Sequence, residues 1–559
     1  MENIFDLSDE NNFFSSEFSD DFKKIYKSSF KDYAKFIDAC SSNNNSKNIY
    51  WWISSPASRR ELQSSLYKNY CILKLVFFLY KNQKLPSKII VPNSALKYII
   101  CNSLKLPSID IGISKKKISF TDRFRNLLRP FNFLMNKAIQ TFYIKIKYSR
   151  LNDSKNTILL ESFITSELME DRYYPELSSY LSKDSKKIVF IPTIANFKIK
   201  NIFSLFKNIS LDKEEYFFRE SILSFSELYR AAFYFKKVRN ISLKILNTDF
   251  YNIDCDLSPL INHSLLNEAF SSISAEGLLN YFFFRGLKKH NYELDTLIDW
   301  WENTSMDKGT NFAINKFFKK GIARGYMGFI PNNYAFELSP TYGEIDGGVI
   351  PEVIGVMGNN FLNLPKRICN EQNSILAPAL RFNNLEQSSN SILNTTKDKI
   401  LVVLPAYFDQ AKNIIKLIVD AGPALKDENL LIKSHPSLNM DNYLLKITYP
   451  KVEIDNSSSV PSLLKSSYVL LTGGSSAAIE AIIQTTPVIN VFPKTFPLSK
   501  LIPENTPKEL YSTCSSSEKL EVLLSKYKEK QKFISSVKIN YEDYFHKPNA
   551  KNVAFFFNF

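Results

Sequence analysis

From residue 397 onward, short apolar runs rich in Val, Ile and Leu alternate with longer stretches in which apolar positions recur every three or four residues. The short runs predict buried strands and the longer ones predict helices. KDKILVVLPA, ENLLIKSHP, YVLLTGGSS and PVINVF are the predicted strands; FDQAKNIIKLIVDAG, VPSLLKSS and AAIEAIIQTT are the predicted helices. Strands and helices alternating over short connections make a doubly wound α/β unit with a parallel sheet.

The first half follows the same grammar with longer interruptions. NIYWWISS predicts a strand running into a Ser/Pro turn, ELQSSLYKNYCILKLVFFLYKN a helix, and SKIIVPNS a second strand. NTILLESFI and KKIVFIPTI predict two further strands, and apolar spacing predicts helices over about 212–238 and 264–290. Residues 294–309 and 325–358 gather Gly and Pro beside acids and aromatics, the composition of a cleft. Residues 1–47 are polar, with a predicted helix near 20–39, and end in the linker-like SSNNNSKN. The organisation expected is therefore a polar extension (1–47), an N-terminal Rossmann-like unit (48–390) with a basic and apolar insertion at about 115–150, a C-terminal Rossmann-like unit (391–535) and a C-terminal tail or helix (536–559). At 559 residues the chain exceeds what one core can serve.

Six cysteines, at 40, 71, 101, 255, 369 and 514, show no metal-binding spacing, and buried thiols in a reducing compartment are expected. The acidic start MENIFDLSDENN lacks the pattern of a secretory signal, so a cytoplasmic location is expected. The longest apolar run, CILKLVFFLY, is too short to span a bilayer and carries Lys74.

The net charge of +15 is uneven. Lys115 to Arg150 holds ten Lys or Arg against the single acid Asp122, interleaved with bulky apolar residues. That mixture suits an anionic membrane surface, expected on the inner face of the inner membrane; the alternative is a helix hairpin packed on its unit with solvated lysines. Charge confined to one apolar-rich segment, with no nucleic-acid-binding motif, argues against a nucleic-acid partner. The sequence has no P-loop, no HExxH and no GxSxG elbow, which excludes the enzyme classes built on them.

Two loops carry the candidate ligand chemistry. His435 and Pro436 end a predicted strand, where Pro cannot prolong the ladder. Gly473 and Gly474 make a tight turn, and Ser475 and Ser476 open a helix whose free N–H groups suit a phosphate. Glu480 lies one turn further on, placed either to accept bonds from a ribose or to settle the helix. If a hydroxyl is to attack, a base is needed; Glu302 in WWENT and Glu344 and Asp346 in GEIDGG are the candidates, with Asp171 next in line. The competing reading pairs Glu302 with Lys308 or Arg324 and makes GEIDGG a surface turn.

KSHPS and TGGSSAAIE resemble the nucleotide-binding motifs of bacterial sialyltransferases and capsule Kdo transferases. YWWISSPASRRELQSSLY, IDWWENTSMDKG, ARGYMGFIP, PTYGEIDGGVIPEVIGVMG and APALRF, within roughly 50–540, are similar to a family of bacterial surface-carbohydrate biosynthesis proteins associated with O-antigen clusters. The resemblance implies an α/β GT-B fold and a metal-independent glycosyltransferase with no cofactor beyond its nucleotide-sugar substrate, expected to be a CMP-sugar. It implies that His435, Pro436, Gly473, Gly474, Ser475, Ser476 and Glu480 meet the donor. A glycan or lipid-linked acceptor is expected. The rivals are a CDP-glycerol-type glycerophosphotransferase and a non-catalytic scaffold of the polysaccharide machinery.

Overall fold

The structure is a computed structural model describing residues 4–9, 13–14, 16–42, 45–104, 110–114, 120–147, 157–165, 173–180, 186–195, 201–211, 214–243, 246–383, 385, 397–436, 438, 440–444, 447, 451–492, 496, 498–534 and 536–559. Asp171 lies outside them.

A small parallel sheet comes first, with β1 (Ile4–Asp6) against β2 (Lys88–Val91) and β2 against β3 (Asp110–Ile113). The first large sheet opens with β4 (Thr157–Thr165) and β5 (Lys187–Ala195), and a hairpin of β6 (Asn247–Asp249) and β7 (Asp254–Asp256) follows outside it. β8 (Thr296–Trp300), β9 (Ile322–Met327), β10 (Val353–Val356) and β11 (Asn373–Leu376) complete that sheet in the order β11-β10-β9-β8-β4-β5, all parallel. The second large sheet holds β12 (Lys399–Val403), β13 (Asn429–Lys433), β14 (Val452–Ile454), β15 (Ser467–Thr472), β16 (Val488–Val491) and β17 (Tyr511–Cys514) in the order β14-β13-β12-β15-β16-β17. Two doubly wound α/β units are thus present, as the GT-B resemblance implies. In each sheet the strand order reverses once, between β4 and β8 and between β12 and β15, and such reversals leave a crevice beyond the strand ends.

Three expectations need correction. NIYWWISS is not a strand: Asn48 caps the short helix Ile49–Trp52, and Trp51 and Trp52 are wholly buried on it. The bulk of two adjacent indoles gave a β-like signal where helical packing won. The polar extension is no appendage, because β1 pairs with β2 and the helices Ser19–Ser28 and Phe30–Ser41 bury Phe22, Tyr26, Tyr33 and Ile37. The C-terminal end holds a helix, one of the two forms expected for it: Ala550–Phe557 buries Phe556 and Phe557 against Tyr326, while Arg324 Nη1 donates to the carbonyls of Phe555 and Phe556, both at 2.6 Å. Finally, the described part of the basic segment is one 28-residue helix, Phe120–Lys147, rather than a hairpin.

That helix has an unusual exterior. Phe124, Leu127, Leu128, Phe131, Met135, Phe142 and Ile146 are all exposed, and at about 100° per residue they fall on one stripe. Pro130, Lys137, Gln140 and Ile144 form its buried face, where Lys137 pairs with Glu220 (3.0 Å) and Glu276 (2.9 Å). Lys137 is therefore an internal ion-pair partner and not one of the cations offered to a surface. Among the described residues no helix is long and apolar enough to cross a membrane. Five of the six cysteines are buried, while Cys101 is exposed.

Candidate active site between the two units

The two large sheets turn their loops toward a shared cleft of about 460 Å³. From the first unit come Arg60, Glu61, Glu302, Tyr334 and Glu337; from the second come Ala406, Tyr407, His435, Gly474 and Ser499. Glu302 follows β8, at the reversal of the first sheet, and Tyr407 and Gly474 follow β12 and β15, the two strands at the reversal of the second. Both crevices therefore open into one space. Asn332, on the cleft wall, ties the units by donating from Nδ2 to Leu498 O (2.9 Å) and accepting at Oδ1 from Lys500 N (2.8 Å).

On the first-unit side Arg60 holds Glu302, Nη2 to Oε2, at 3.1 Å. The expected structural partners of Glu302, Lys308 and Arg324, are elsewhere: Lys308 pairs with Glu344 at 2.6 Å. Burial disfavours the Arg60 charge, but Glu302 and Glu337 outweigh it and raise its pKa. Burial also raises the pKa of Glu337, which Arg60 partly offsets. The Tyr407 hydroxyl, raised by burial, feels Arg60, Glu337 and Glu302 in turn, so it completes the group from across the cleft. Two carboxylates, a guanidinium and a phenol of this kind can accept a proton and counter developing anionic charge.

Glu344 does not belong to this group. It is wholly buried, its carboxylate clamped by Arg59 (2.8 Å) and Lys308 (2.6 Å), and these cations outweigh burial to lower its pKa. An acid held this firmly as an anion inside the protein cannot meet an acceptor hydroxyl, so its candidacy as the base is withdrawn. Its role is to build the wall: Arg59 also donates to the carbonyls of Phe336 (2.9 Å), Glu337 (3.1 Å) and Ser339 (3.0 Å), and Asn303 Nδ2 donates to Glu337 O at 2.6 Å. Asp346, exposed at the end of the five-residue helix Tyr342–Asp346, is not among the cleft residues either.

On the second-unit side the two expected loops converge in part. His435, half-buried after β13, and Gly474 line the cleft. Burial lowers the pKa of His435, so its imidazole is neutral at pH 7. Gly474 sits at φ +61°, where a Cβ would lie 2.7 Å from Ser499 Oγ and 3.1 Å from Gln410 Oε1. Gly473 is buried against Val491 O, and Pro436 is exposed. Ser475 Oγ accepts from Ala477 N at 3.3 Å, and exposed Ser476 begins the short helix Ala477–Ile483 without a side-chain cap bond. Burial raises the Glu480 carboxyl to about 7, with Arg381 of the first unit acting against it. Of these residues only His435 and Gly474 touch the cleft itself.

Sequence reasoning missed Arg60, Glu337 and Tyr407. Two of the three had a signal: paired arginines in SPASRREL for Arg60, and a Pro after the strand in VVLPAYF for Tyr407. Behind the loop carrying Glu302, three buried carboxylates from Glu161 (β4), Asp299 (β8) and Asp307 bring oxygens within 4.8 Å of one another, a spacing that suits shared protons or a hard cation. Asp307 accepts from Thr304 N (2.6 Å) and Glu302 N (3.2 Å), fixing the backbone that presents Glu302.

No protein-family model matches the chain, and no curated protein does. Among solved structures, the UDP-GlcNAc 2-epimerase of Methanocaldococcus jannaschii, in complex with UDP-GlcNAc and UDP, is similar at 14% identity and TM-score 0.40, over 71% of this chain and 97% of that one. The Neisseria meningitidis UDP-GlcNAc 2-epimerase gives 12% and 0.38 over 68% and 94%. Acinetobacter baumannii MurG gives 6% and 0.35 over 68% and 94%.

Proposed function

We propose that this chain is a glycosyltransferase that moves a sugar from a nucleotide donor to a glycan or lipid-linked acceptor in bacterial surface-polysaccharide assembly. One observation carries the reading: Arg60, Glu302 and Glu337 face Tyr407, His435 and Gly474 in a single cleft at the strand reversals of both sheets. In this reading the donor phosphate rests on the N–H groups after Gly474 and on His435, while Ser475 and Ser476 flank it. A cleft carboxylate takes the acceptor proton as the new glycosidic bond forms. The bond from the anomeric carbon to the donor phosphate breaks, and the nucleotide leaves with the negative charge, which Arg60 offsets. The motif resemblance of KSHPS and TGGSS favours a CMP-activated nonulosonic or Kdo-type sugar. The exposed apolar stripe of the helix Phe120–Lys147, flanked by Arg123, Arg125, Arg129, Lys145 and Lys147, gives the protein a face for an anionic membrane, where a lipid-linked acceptor would lie.

Isothermal titration of the wild type, His435→Ala and Ser475→Ala/Ser476→Ala against CMP, CDP, UDP and GDP tests the donor site. Loss of a hydrogen bond to a charged phosphate weakens binding by roughly ten- to a hundredfold. A wild type that binds no nucleotide, or variants that bind as tightly as it does, would remove the donor from this cleft. The mass added to an acceptor separates sugar transfer from polyol-phosphate transfer.

A further inference from the structure

Beside the cleft lies a second, larger cavity of about 770 Å³, and Leu62 lines both. One segment divides them: Arg60 and Glu61 face the cleft, whereas Gln63, Ser64 and Ser65 face the second cavity. Its opposite wall is the segment Asn267–Ile273. Glu268, only 2% exposed, fastens the two walls by accepting from Ser55 N (3.2 Å), Ser55 Oγ (2.5 Å) and Tyr234 OH (3.2 Å). Arg239 fixes the same turn through Glu268 O at 2.7 Å and 3.0 Å. The cavity is thus a braced groove, not a gap between loose loops.

Its chemistry is uniform. Among the described residues, more than half of its lining is Ser, Asn or Gln, and the ionisable lining residues are only Arg129, His263 and Glu268. Glu268 is already engaged, and burial lowers the pKa of His263 and so keeps it neutral at pH 7. With Arg129 its one lining Lys or Arg among the described residues, the site is poorly matched to a phosphate-rich ligand. Neutral amides and hydroxyls, which both donate and accept, match the alternating needs of sugar hydroxyls. Phe133 and Phe270, their ring centroids 5.4 Å apart, line the same groove and add an apolar surface for the C–H face of a pyranose.

The groove's third wall is the helix Phe120–Lys147, through Arg129, Asn132, Phe133 and Asn136. At about 100° per residue Arg129, Asn132 and Asn136 lie on the flank between the exposed apolar stripe and the buried face, and Phe133 lies on the near side of the buried face. A chain held to a bilayer by that stripe therefore opens the groove alongside the lipid surface, with its far end at Leu62 and the cleft.

We infer that this groove is an acceptor subsite that binds an uncharged oligosaccharide and leads its terminal hydroxyl past Leu62 to Arg60 and Glu302. The inference rests on the glycosyltransferase reading for its direction of travel, but glycan binding itself does not. The wild type, Asn132→Ala/Asn136→Ala and Phe133→Ala are to be measured on an array of uncharged and anionic oligosaccharides, each variant first checked for an unchanged melting curve. The asparagines are solvent-accessible, so the double variant keeps the test valid if Phe133→Ala loosens the helix. Expected are retention of uncharged glycans by the wild type and a loss of roughly tenfold or more in the double variant, with nucleotide titration and vesicle sedimentation unaltered. No uncharged glycan retained, retention of anionic glycans alone, or variants that bind like the wild type would overturn the inference. Glycan binding without any nucleotide binding would instead overturn the transferase reading and leave the groove standing.

Discussion

The Arg59 guanidinium clasps the Glu344 carboxylate from two sides, Nη2 at 2.8 Å and Nε at 3.2 Å, one residue before Arg60 reaches out to Glu302. The inward arginine anchors a turn whose outward arginine meets the cleft. Arg59 itself is in the left-handed region at φ 57°, which reverses the chain between the two side chains. Lys308, the second cation on Glu344, also donates to Ala57 O, so the acid ties together this turn, the helix Ser305–Phe317 and the loop bearing Glu337.

Removing Glu344 leaves two buried cations unpaired, which typically costs about 3–5 kcal/mol. Glu344→Gln is expected to lower the stability of the first unit by that order in urea titration and to weaken catalysis through misplacement of Arg60 and Glu337. Because the folded-state pKa of Glu344 is depressed, its contribution is present above the ordinary carboxylate range and is lost as pH falls through the lowered value. The variant should therefore show a shallower acid limb of stability than the wild type. An unchanged acid limb would mean that other carboxylates dominate acid unfolding.

Glu302 and Glu337 compete for the role of base, and their surroundings separate them. Burial raises Glu337 and Arg60 works against that rise. If Glu337 takes the proton, the acid limb of kcat/KM should lie above the ordinary carboxylate range, and Arg60→Ala should move it higher still. Glu337→Gln should then cost about 10²–10⁴-fold in transfer with donor affinity retained. The same loss in Glu302→Gln, with a normal profile in Glu337→Gln, would assign the role to Glu302.

Much of this was legible because the second sheet is built from uninterrupted Val, Ile and Leu runs, which only a sheet covered on both faces produces. β12, β13, β15 and β16 lie where KILVV, NLLIK, SYVLLT and VINV predict them, and His435 and Gly474 follow from strand ends. What escaped prediction depended on long-range partners. Nothing local distinguishes Arg59 from Arg60, yet Glu344, 285 positions away, draws one inward and leaves the other in the cleft. Glu344 was a candidate base as a carboxylate in the acid- and Gly-rich stretch GEIDGG, whereas its capping box with Thr341 and its two cations make it structural. The N-terminal segment read as an extension because its aromatics are diluted by Ser, Asp and Lys; only packing of Phe22 and Tyr26 against Phe496 reveals its place.

The helix Phe120–Lys147 offers a test of membrane attachment that leaves the cleft untouched. Replacing Arg123, Arg125, Arg129, Lys145 and Lys147 by Gln should release the protein from anionic vesicles, since each basic residue near such a surface contributes on the order of 1 kcal/mol. Raising salt should act in the same direction. Phe142→Asp should weaken binding to the same vesicles at any salt, because Phe142, 71% exposed, is apolar surface that the bilayer would cover. Sedimentation identical to the wild type in both variants would sink the proposed face.

Asp299 and Asp307 bear on stability from the alkaline side. Burial raises both, Asp307 to about 8, and Glu161 adds to each. An acid whose folded pKa is raised is favoured in its protonated form, so its contribution is intact below the ordinary carboxylate range and is lost as pH rises through the raised value. Melting temperatures measured from about pH 4 to about pH 9, a range that spans the ordinary carboxylate value and the raised one, should fall in the wild type and stay flatter in Asp299→Asn, which needs no proton. If a hard cation joins the trio, chelator should steepen the wild-type fall and leave the variant unmoved.

Gly474 tests whether the donor loop tolerates any side chain. Its φ of +61° costs an alanine about 1–2 kcal/mol. The added Cβ also meets Ser499 Oγ at 2.7 Å, Gln410 Oε1 at 3.1 Å and Ser499 Cβ at 3.2 Å, so either these groups or the loop must give. Gly474→Ala should therefore lower the melting temperature by a few degrees and weaken nucleotide binding, because Gly474 forms part of the cleft surface. Adding Ser499→Ala removes the oxygen and should return the largest part of the steric share while leaving the backbone share, so the double variant should fall between the wild type and Gly474→Ala. Full recovery would show that the clash alone mattered and that the loop is free to leave the left-handed region; no recovery would show that the backbone conformation carries the whole cost.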